Sequence, residues 1–270
     1  MSDDLSIFDL RTTFGANALD YEFLSRQHLG VASERAIALA GIDRDMAVLD
    51  AGCGTGSATI PAALLVGPRG RVVAVDFAPE MLALATEKAS YRALLNIEWR
   101  LEDMTALKLA PGSFDAVLCV LGIFNVADMP ALAASFWRLL RPGGRLVLAS
   151  TNGRLLDPIY TLFLDAVCDV CGPFVPAQPW LQPHTADQMV DVLARAGIAA
   201  ARFVEETVIS PPLAPEDCWR IIRGTGLDLM LDVESPERAR RARAAVKQAL
   251  HARGVASVAT SVLFAVAVKP

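Results

Sequence analysis

Met46-Ala47-Val48-Leu49-Asp50-Ala51-Gly52-Cys53-Gly54-Thr55-Gly56 is the stretch from which the rest of the chain is read. Its first half, Met46 to Ala51, is a short apolar run ending on a carboxylate, and it reads as a parallel strand covered on both faces. The second half is Gly-x-Gly-x-Gly, and a helix-compatible stretch, Ser57 to Val66, follows. A glycine motif gains meaning in this context of strand, tight turn and helix. Glycine permits positive φ and lets a ligand approach the backbone with no Cβ in the way. The free amides at the start of the next helix then face an anionic group on that ligand.

Downstream, the same unit repeats. Gly67-Pro68-Arg69-Gly70 is a turn, and Arg71 to Asp76 is a second apolar strand ending on a carboxylate. Pro79 opens a helix running to about Tyr91. Asn96 to Leu101, Phe114 to Val120 and Arg145 to Ser150 read as further strands, with a helix over Asp128 to Leu140 closed by Pro142-Gly143-Gly144. Strands alternating with helices predict right-handed crossovers and an α/β, doubly wound parallel sheet. Ligands in such sheets bind beyond the carboxyl ends of the strands, where the strand order reverses.

Beyond Ser150 the rhythm changes. Helices are expected over Leu155–Val170, Thr185–Ala196, Pro215–Arg223 and Ser235–Arg253, with strands over Ala200–Val208 and Val255–Val268. The core domain is thus 46–270, with insertions at about 152–185 and 211–253 that roof a pocket. Residues 1–45 lie outside the alternating pattern and are expected either to pack as helices on the sheet or to form a helical lid, with Gly41 stopping the helix that begins near Ser33.

Composition narrows the function classes. A net charge of −5 argues against a broad nucleic-acid-binding surface. The 53% hydrophobic content and a mean hydropathy of +0.38 exclude dominant disorder. The start of the chain has Asp3 and Asp4 instead of a basic-then-apolar leader, and the apolar run Gly254–Val268 is too short to span a bilayer as a helix. Five cysteines without a spacing framework suggest a reducing compartment, so a cytoplasmic protein is expected, with no stable membrane insertion. A homodimer stays open.

Two carboxylates sharpen the glycine turn. Asp76 stands at the end of the second strand, twenty residues past Gly56, where it can accept from both hydroxyls of a ribose. Asp103 follows the third strand and can accept from the exocyclic amine of adenine, while the N–H of Met104 reaches a ring nitrogen. Phe77 and Met81 are placed to flank the adenine plane. A dinucleotide site prefers Gly-x-Gly-x-x-Gly; here the third glycine comes one residue early and Ser57 holds its place.

Together with the Leu140-Arg-Pro-Gly-Gly-Arg-Leu146 turn, these residues resemble the class I S-adenosylmethionine-dependent methyltransferases. More narrowly they resemble the branch that includes the ubiquinone/menaquinone biosynthesis C-methyltransferases. The resemblance is close over about Ala40 to Ser150. It implies a Rossmann-like sheet of seven strands, mostly parallel with an antiparallel last strand, which would be Val255–Val268. It also implies S-adenosyl-L-methionine as cofactor and S-adenosyl-L-homocysteine as product. Gly52, Cys53, Gly54 and Gly56 would pass the backbone close to the methionine moiety, Asp50 would support that loop, and Asp76 would hold the ribose. Asp103 and Met104 would bind adenine, and the carbonyl of Cys119 would accept from the methionine ammonium.

The catalytic signal is thinner. Methyl transfer needs alignment and exclusion of water, and a base only if the nucleophile arrives protonated. Many relatives carry a histidine after the fourth strand, whereas this chain has Leu121-Gly122-Ile123-Phe124-Asn125-Val126-Ala127-Asp128. His184, beside Trp180, is therefore the candidate base, against a surface role. Tyr21, His28, Asn125, Tyr160 and Trp180 are candidate substrate contacts, against packing or turn roles. Cys168, Cys171 and Cys218 would suit a soft-metal or arsenic site, but buried small residues explain them as well, and no metal site is expected. The arginines of the Ser235–Arg253 helix fit a solvated face.

The expected activity is transfer of a methyl group from S-adenosylmethionine to O, C or N of a small aromatic or lipophilic metabolite. The rivals are a fold relative that binds the cofactor without transferring methyl and an NAD-dependent oxidoreductase.

Overall fold

The computed structural model of the protein describes residues 10–153, 155–173, 185–231 and 234–270. Its strands are β1 (Ala47–Ala51), β2 (Arg71–Asp76), β3 (Ile97–Leu101), β4 (Phe114–Val120), β5 (Leu140–Thr151), β6 (Arg202–Ile209) and β7 (Ala259–Val268). They form one sheet in the order β3-β2-β1-β4-β5-β7-β6. Neighbours among β1 to β5 pair in parallel, and β7 runs antiparallel to both β5 and β6. This is the seven-stranded sheet expected from the sequence.

The helices are α1 (Leu10–Ala16), α2 (Ala18–Leu24), α3 (Gly30–Ala40), α4 (Thr59–Val66), α5 (Pro79–Tyr91), α6 (Met129–Leu139), α7 (Ile159–Cys171), α8 (Ala186–Arg195), α9 (Pro215–Gly224) and α10 (Pro236–Arg253). Strand alternation sorts them onto two faces. Val48, Val72, Leu118 and Val147 pack with Ala36 and Ile37 of α3 and Ala62 and Val66 of α4. Their neighbours Leu49, Val73, Val117 and Leu148 pack with Phe136 of α6, Phe163 of α7 and Leu193 of α8. Both faces of the central strands are therefore buried, which is why these strands read as unbroken apolar runs.

β1 is flanked by β2 on one side and β4 on the other. The chain leaves the two sides in opposite directions, and a cleft opens beyond the carboxyl ends of β1 and β4. The glycine turn lies in that cleft.

One expectation is corrected. Pro142-Gly143-Gly144 does not precede β5 but sits inside it: Phe114 pairs with Leu140, and pairing resumes with Ala116 opposite Arg145. The extra residues stay attached because Gly143 N donates to Lys269 O at 2.8 Å and Lys269 N donates to Gly144 O at 2.9 Å. Part of the segment 1–45 also packs on the sheet, the alternative to a lid. The α3 helix belongs to the core, capped by Gly41 at φ 60° and ψ 43°, a left-handed conformation that glycine adopts without strain. Of the described residues before Ala40, only 10–29 lie outside that layer.

Candidate active site

The glycine turn takes its shape from its neighbours. Gly52 N and Cys53 N both donate to Val75 O at 2.9 Å, so the turn is tied to the end of β2 as it leaves β1. Asp76 completes the tie: its Oδ2 accepts from Gly54 N at 2.8 Å and its Oδ1 accepts from Ala78 N at 2.9 Å. Asp50 reaches forward to α4, where its Oδ2 accepts from Thr59 Oγ1 at 2.5 Å. Gly54 adopts φ 53°, a conformation that favours glycine, and a Cβ there would lie 3.3 Å from Tyr21 Cε1 and press the ring outward by a few tenths of an ångström. Gly56 has a different task from the one expected. At φ 84°, its missing Cβ makes room for Ala85 Cβ at 3.2 Å, so it serves the packing of α5 and lies outside both cavities described next.

A cleft with about 1000 Å³ of empty space, part of it open to solvent, lies beyond the strand ends. Gly52, Gly54, Asp76, Phe77, Met81 and Met104 form one side of it. Phe14 packs beside Met81, and Leu24, Leu29, Phe124, Leu155 and Leu156 add apolar wall, with polar atoms from Asn125, Thr151 and Thr225. A second cavity of about 330 Å³ lies behind the turn, walled by Asp50, Cys53, Ser57 and Ala58 and by Tyr21, Ser25, Leu29 and Ser33. Tyr21 and Leu121 border both.

Leu121 holds φ 56°, a conformation that a branched side chain adopts at a cost and that tends to mark functional backbone. Its N–H still donates to Ala149 O at 3.0 Å, so the chain turns away from the sheet only after β4 is fully paired. Cys119, whose carbonyl was expected to accept from the ammonium, is fully buried in the β4 ladder opposite Leu148, and the following Val120 and Leu121 stand in the cavity walls.

The electrostatics are one-sided. Asp50 is 1% exposed and Asp76 7% exposed. Burial pushes the Asp50 carboxyl up to about 6, against the lowering effect of the Thr59 hydroxyl, and the nearby Asp76 adds to the rise. Burial also raises Asp76, opposed by the N–H groups of Ala78, Gly54 and Phe77. The Tyr21 phenol is pushed up by burial and by the Asp76 carboxylate, so it stays protonated at neutral pH. Glu102 adds a third acid to the wall, and among the described residues no Lys, Arg or His lines either cavity. Buried carboxylates without a cation attract one. A sulfonium with an ammonium group fits these acceptors, whereas the pyrophosphate of a dinucleotide would meet Asp76 with no basic side chain among the described residues of the cavity walls to balance it.

The other candidates fall in different places. Asp103 is exposed at the rim, where its Oδ1 accepts from Thr105 N and Thr105 Oγ1, both at 2.8 Å, capping the short turn that carries Met104 into the wall. His28 is corrected from substrate contact to anchor: it is fully buried, its Nε2 lies 2.8 Å from Thr260 Oγ1, and burial lowers it to about 4. Tyr160 lies on α7, packed against the core and outside the cavity walls, its phenol raised by burial. Trp180 and His184 lie outside the described residues. Among the described residues no group of His, Cys, Asp or Glu could hold a metal ion, and no helix is long and apolar enough to cross a membrane.

Comparison with known proteins agrees with this geometry. Residues 48–144 match a family model described as a methyltransferase domain. The chain is 31% identical over 171 residues to a demethylmenaquinone methyltransferase of Lactococcus lactis subsp. lactis, covering 58% of this chain and 68% of that protein. It is 42% identical over 101 residues to the nocamycin O-methyltransferase of Saccharothrix syringae, covering 37% of this chain and only 36% of that one. Among solved structures it is similar in fold to the YcgJ protein of Bacillus subtilis, with a TM-score of 0.56 and 17% identity over 88% of this chain and 98% of that chain.

Proposed function

Because this chain belongs to the class I S-adenosylmethionine-dependent methyltransferases, in the branch of the ubiquinone/menaquinone biosynthesis C-methyltransferases, we propose that it methylates O, C or N of a small, flat, apolar acceptor. The observation that carries this reading is the pairing of an acid-lined nucleoside side with an apolar side in one cavity. The relatives named for demethylmenaquinone and for nocamycin O-methylation support a small lipophilic acceptor and leave its reacting atom open.

When bound, S-adenosylmethionine supplies a methyl group activated by a positive sulfur. Asp76 would hold the ribose hydroxyls, and Phe77, Met81, Asp103 and Met104 the adenine. Asp50, with the backbone of Gly52, Cys53 and Gly54 and of Val120 and Leu121, would receive the methionine end. The apolar wall excludes water, which strengthens each polar contact inside. Tyr21, held protonated, can donate a hydrogen bond but cannot serve as a base near neutral pH. Asn125 is the acceptor-side positioning group: its Oδ1 is sealed from solvent with no hydrogen-bond partner, a cost that a hydroxyl of the acceptor would relieve. His184 stays the candidate base. In the same reading the acceptor is a small molecule and no nucleic acid, the protein works in the cytoplasm, and residues 10–29 form the lid; a homodimer is compatible with it.

The test is incubation with methyl-labelled cofactor and a panel of phenols, quinols and hydroxylated polyketides, set against amino acids and nucleotides. Label should enter the apolar hydroxy compounds alone. Asn125→Ala should raise the acceptor KM about tenfold, the loss of one buried hydrogen bond, with cofactor affinity unchanged. Label entering only charged acceptors would refute the reading.

A further inference from the structure

The smaller cavity is roofed by four residues of one segment, Tyr21, Ser25, Leu29 and Ser33. A nucleoside whose methionine arm lies in that cavity therefore passes beneath this roof on entering and leaving. The two ends of the roof are fixed in different ways. At one end His28, fully buried, meets Thr260 Oγ1 on β7, and Thr260 Oγ1 also accepts from Leu156 N at 3.1 Å. This joint is dry and internal. At the other end α2 lies between α9 and α5, and ion pairs hold it to both. Asp20 Oδ1 lies 3.2 Å from Arg220 Nε, and Asp20 Oδ2 lies 3.0 Å from Arg223 Nε, a close but poorly aligned contact. Glu22 Oε2 accepts from Lys88 Nζ at 2.6 Å. The Arg220 guanidinium also covers the Phe23 ring at 3.8 Å. The side chains of Asp20 and Glu22 are 17% and 15% exposed, and those of Arg220 and Arg223 about 40%, so water and salt reach this end.

Between the two ends, Ser25–Leu29 is a π-helical turn. Such turns carry a wider, less regular hydrogen-bond ladder and concentrate at functional sites. Ser25 Oγ hydrogen-bonds to Ser57 Oγ, tying this turn to the loop before α4.

We propose that Asp20-Tyr21-Glu22 is a latch over the cofactor: Asp20 and Glu22 clamp α2 to α9 and α5, Tyr21 is held over Gly54, and Ser25–Leu29 is the hinge about which the roof lifts. This rests on the cofactor reading above. Asp20, Glu22, Lys88, Arg220 and Arg223 are positioning residues that set the rate of nucleoside exchange. Tyr21, which borders both cavities together with Leu29, Gly52, Val120 and Leu121, covers the methionine arm while the latch is closed. In this account release of the spent nucleoside requires the ion pairs to open, as lid opening does in many enzymes.

The test is a stopped-flow chase of bound S-adenosylhomocysteine. Glu22→Gln, which loses the pair with Lys88, and Asp20→Asn, which loses those with Arg220 and Arg223, should each speed release about three- to fivefold. Raising salt from about 0.05 to about 0.5 M should speed release from the wild type and have less effect on the double variant. The charge exchange Glu22→Lys with Lys88→Glu should return release towards the wild-type rate, which a merely misfolded helix would not do. Wild-type binding with release unchanged by salt and by every variant overturns the latch alone. Failure of the wild type to bind the nucleoside overturns the cofactor reading and the latch with it.

Discussion

Asp76→Ala is expected to weaken S-adenosylhomocysteine binding about a hundredfold, or about 3 kcal/mol. Two losses coincide at this side chain. The ribose loses the acceptor proposed for its hydroxyls, and the glycine turn loses its brace, since the carboxylate accepts from Gly54 N and Ala78 N at 2.8 and 2.9 Å. Bonds to an ionised, buried acceptor are the strong ones. Asp76→Asn should fall between, because one oxygen can still take one of the two N–H groups. Folding should not suffer in proportion, for burial raises this carboxyl and so already opposes its ionised form. Calorimetric titration of the three proteins decides it, and unchanged affinity in Asp76→Ala would remove Asp76 from the site.

Asp50→Asn should do the opposite to stability and the same to binding. The Asp50 carboxyl is raised from 3.8 to about 6. A group raised in the folded state adds stability below its unfolded value, and that stability is lost as pH rises through the folded value. Above pH 6 the unliganded wild type therefore carries the whole cost of a buried charge, about 3 kcal/mol. The amide carries no charge and can still accept from Thr59. Melting at pH 8 should show the Asp50→Asn variant about 5 °C more stable than the wild type, and the gain should vanish near pH 4. S-adenosylmethionine should bind the variant more weakly than the wild type, and wild-type affinity should rise with pH through about 6. A melting difference that is the same at both pH values would contradict the assignment of a buried charge to Asp50. Trading stability for a charge at the binding site is the expected pattern for a functional residue.

The sheet was legible because its signals are local. The apolar runs ending on Asp50 and Asp76, the glycines between them and Pro79 each report on their own neighbourhood, and strands buried on both faces leave little choice of conformation. The Asp76 side of the cavity was legible for the same reason, as it is built from strand ends that follow each other in the chain. The apolar side was not. Leu24, Leu156 and Thr225 come from three distant segments, and nothing at those positions distinguishes a cavity wall from a core contact. His28 shows the converse failure. A histidine in this segment left substrate contact and packing both open, and the sequence cannot show that Thr260, 232 residues away, is its partner. Gly56 was read by analogy with its neighbours, whereas its φ and the nearness of Ala85 give it a packing role. Leu121 carried no signal, because positive φ in a leucine is imposed by the fold around it and not by its own preference.

The most direct measurement is calorimetric titration of the purified protein with S-adenosylmethionine, S-adenosylhomocysteine and NADH side by side. The account predicts micromolar binding of both sulfur nucleosides and none of NADH, whose pyrophosphate would lie near Asp76 with no basic side chain among the described residues lining the cavity. Binding of NADH alone would contradict it.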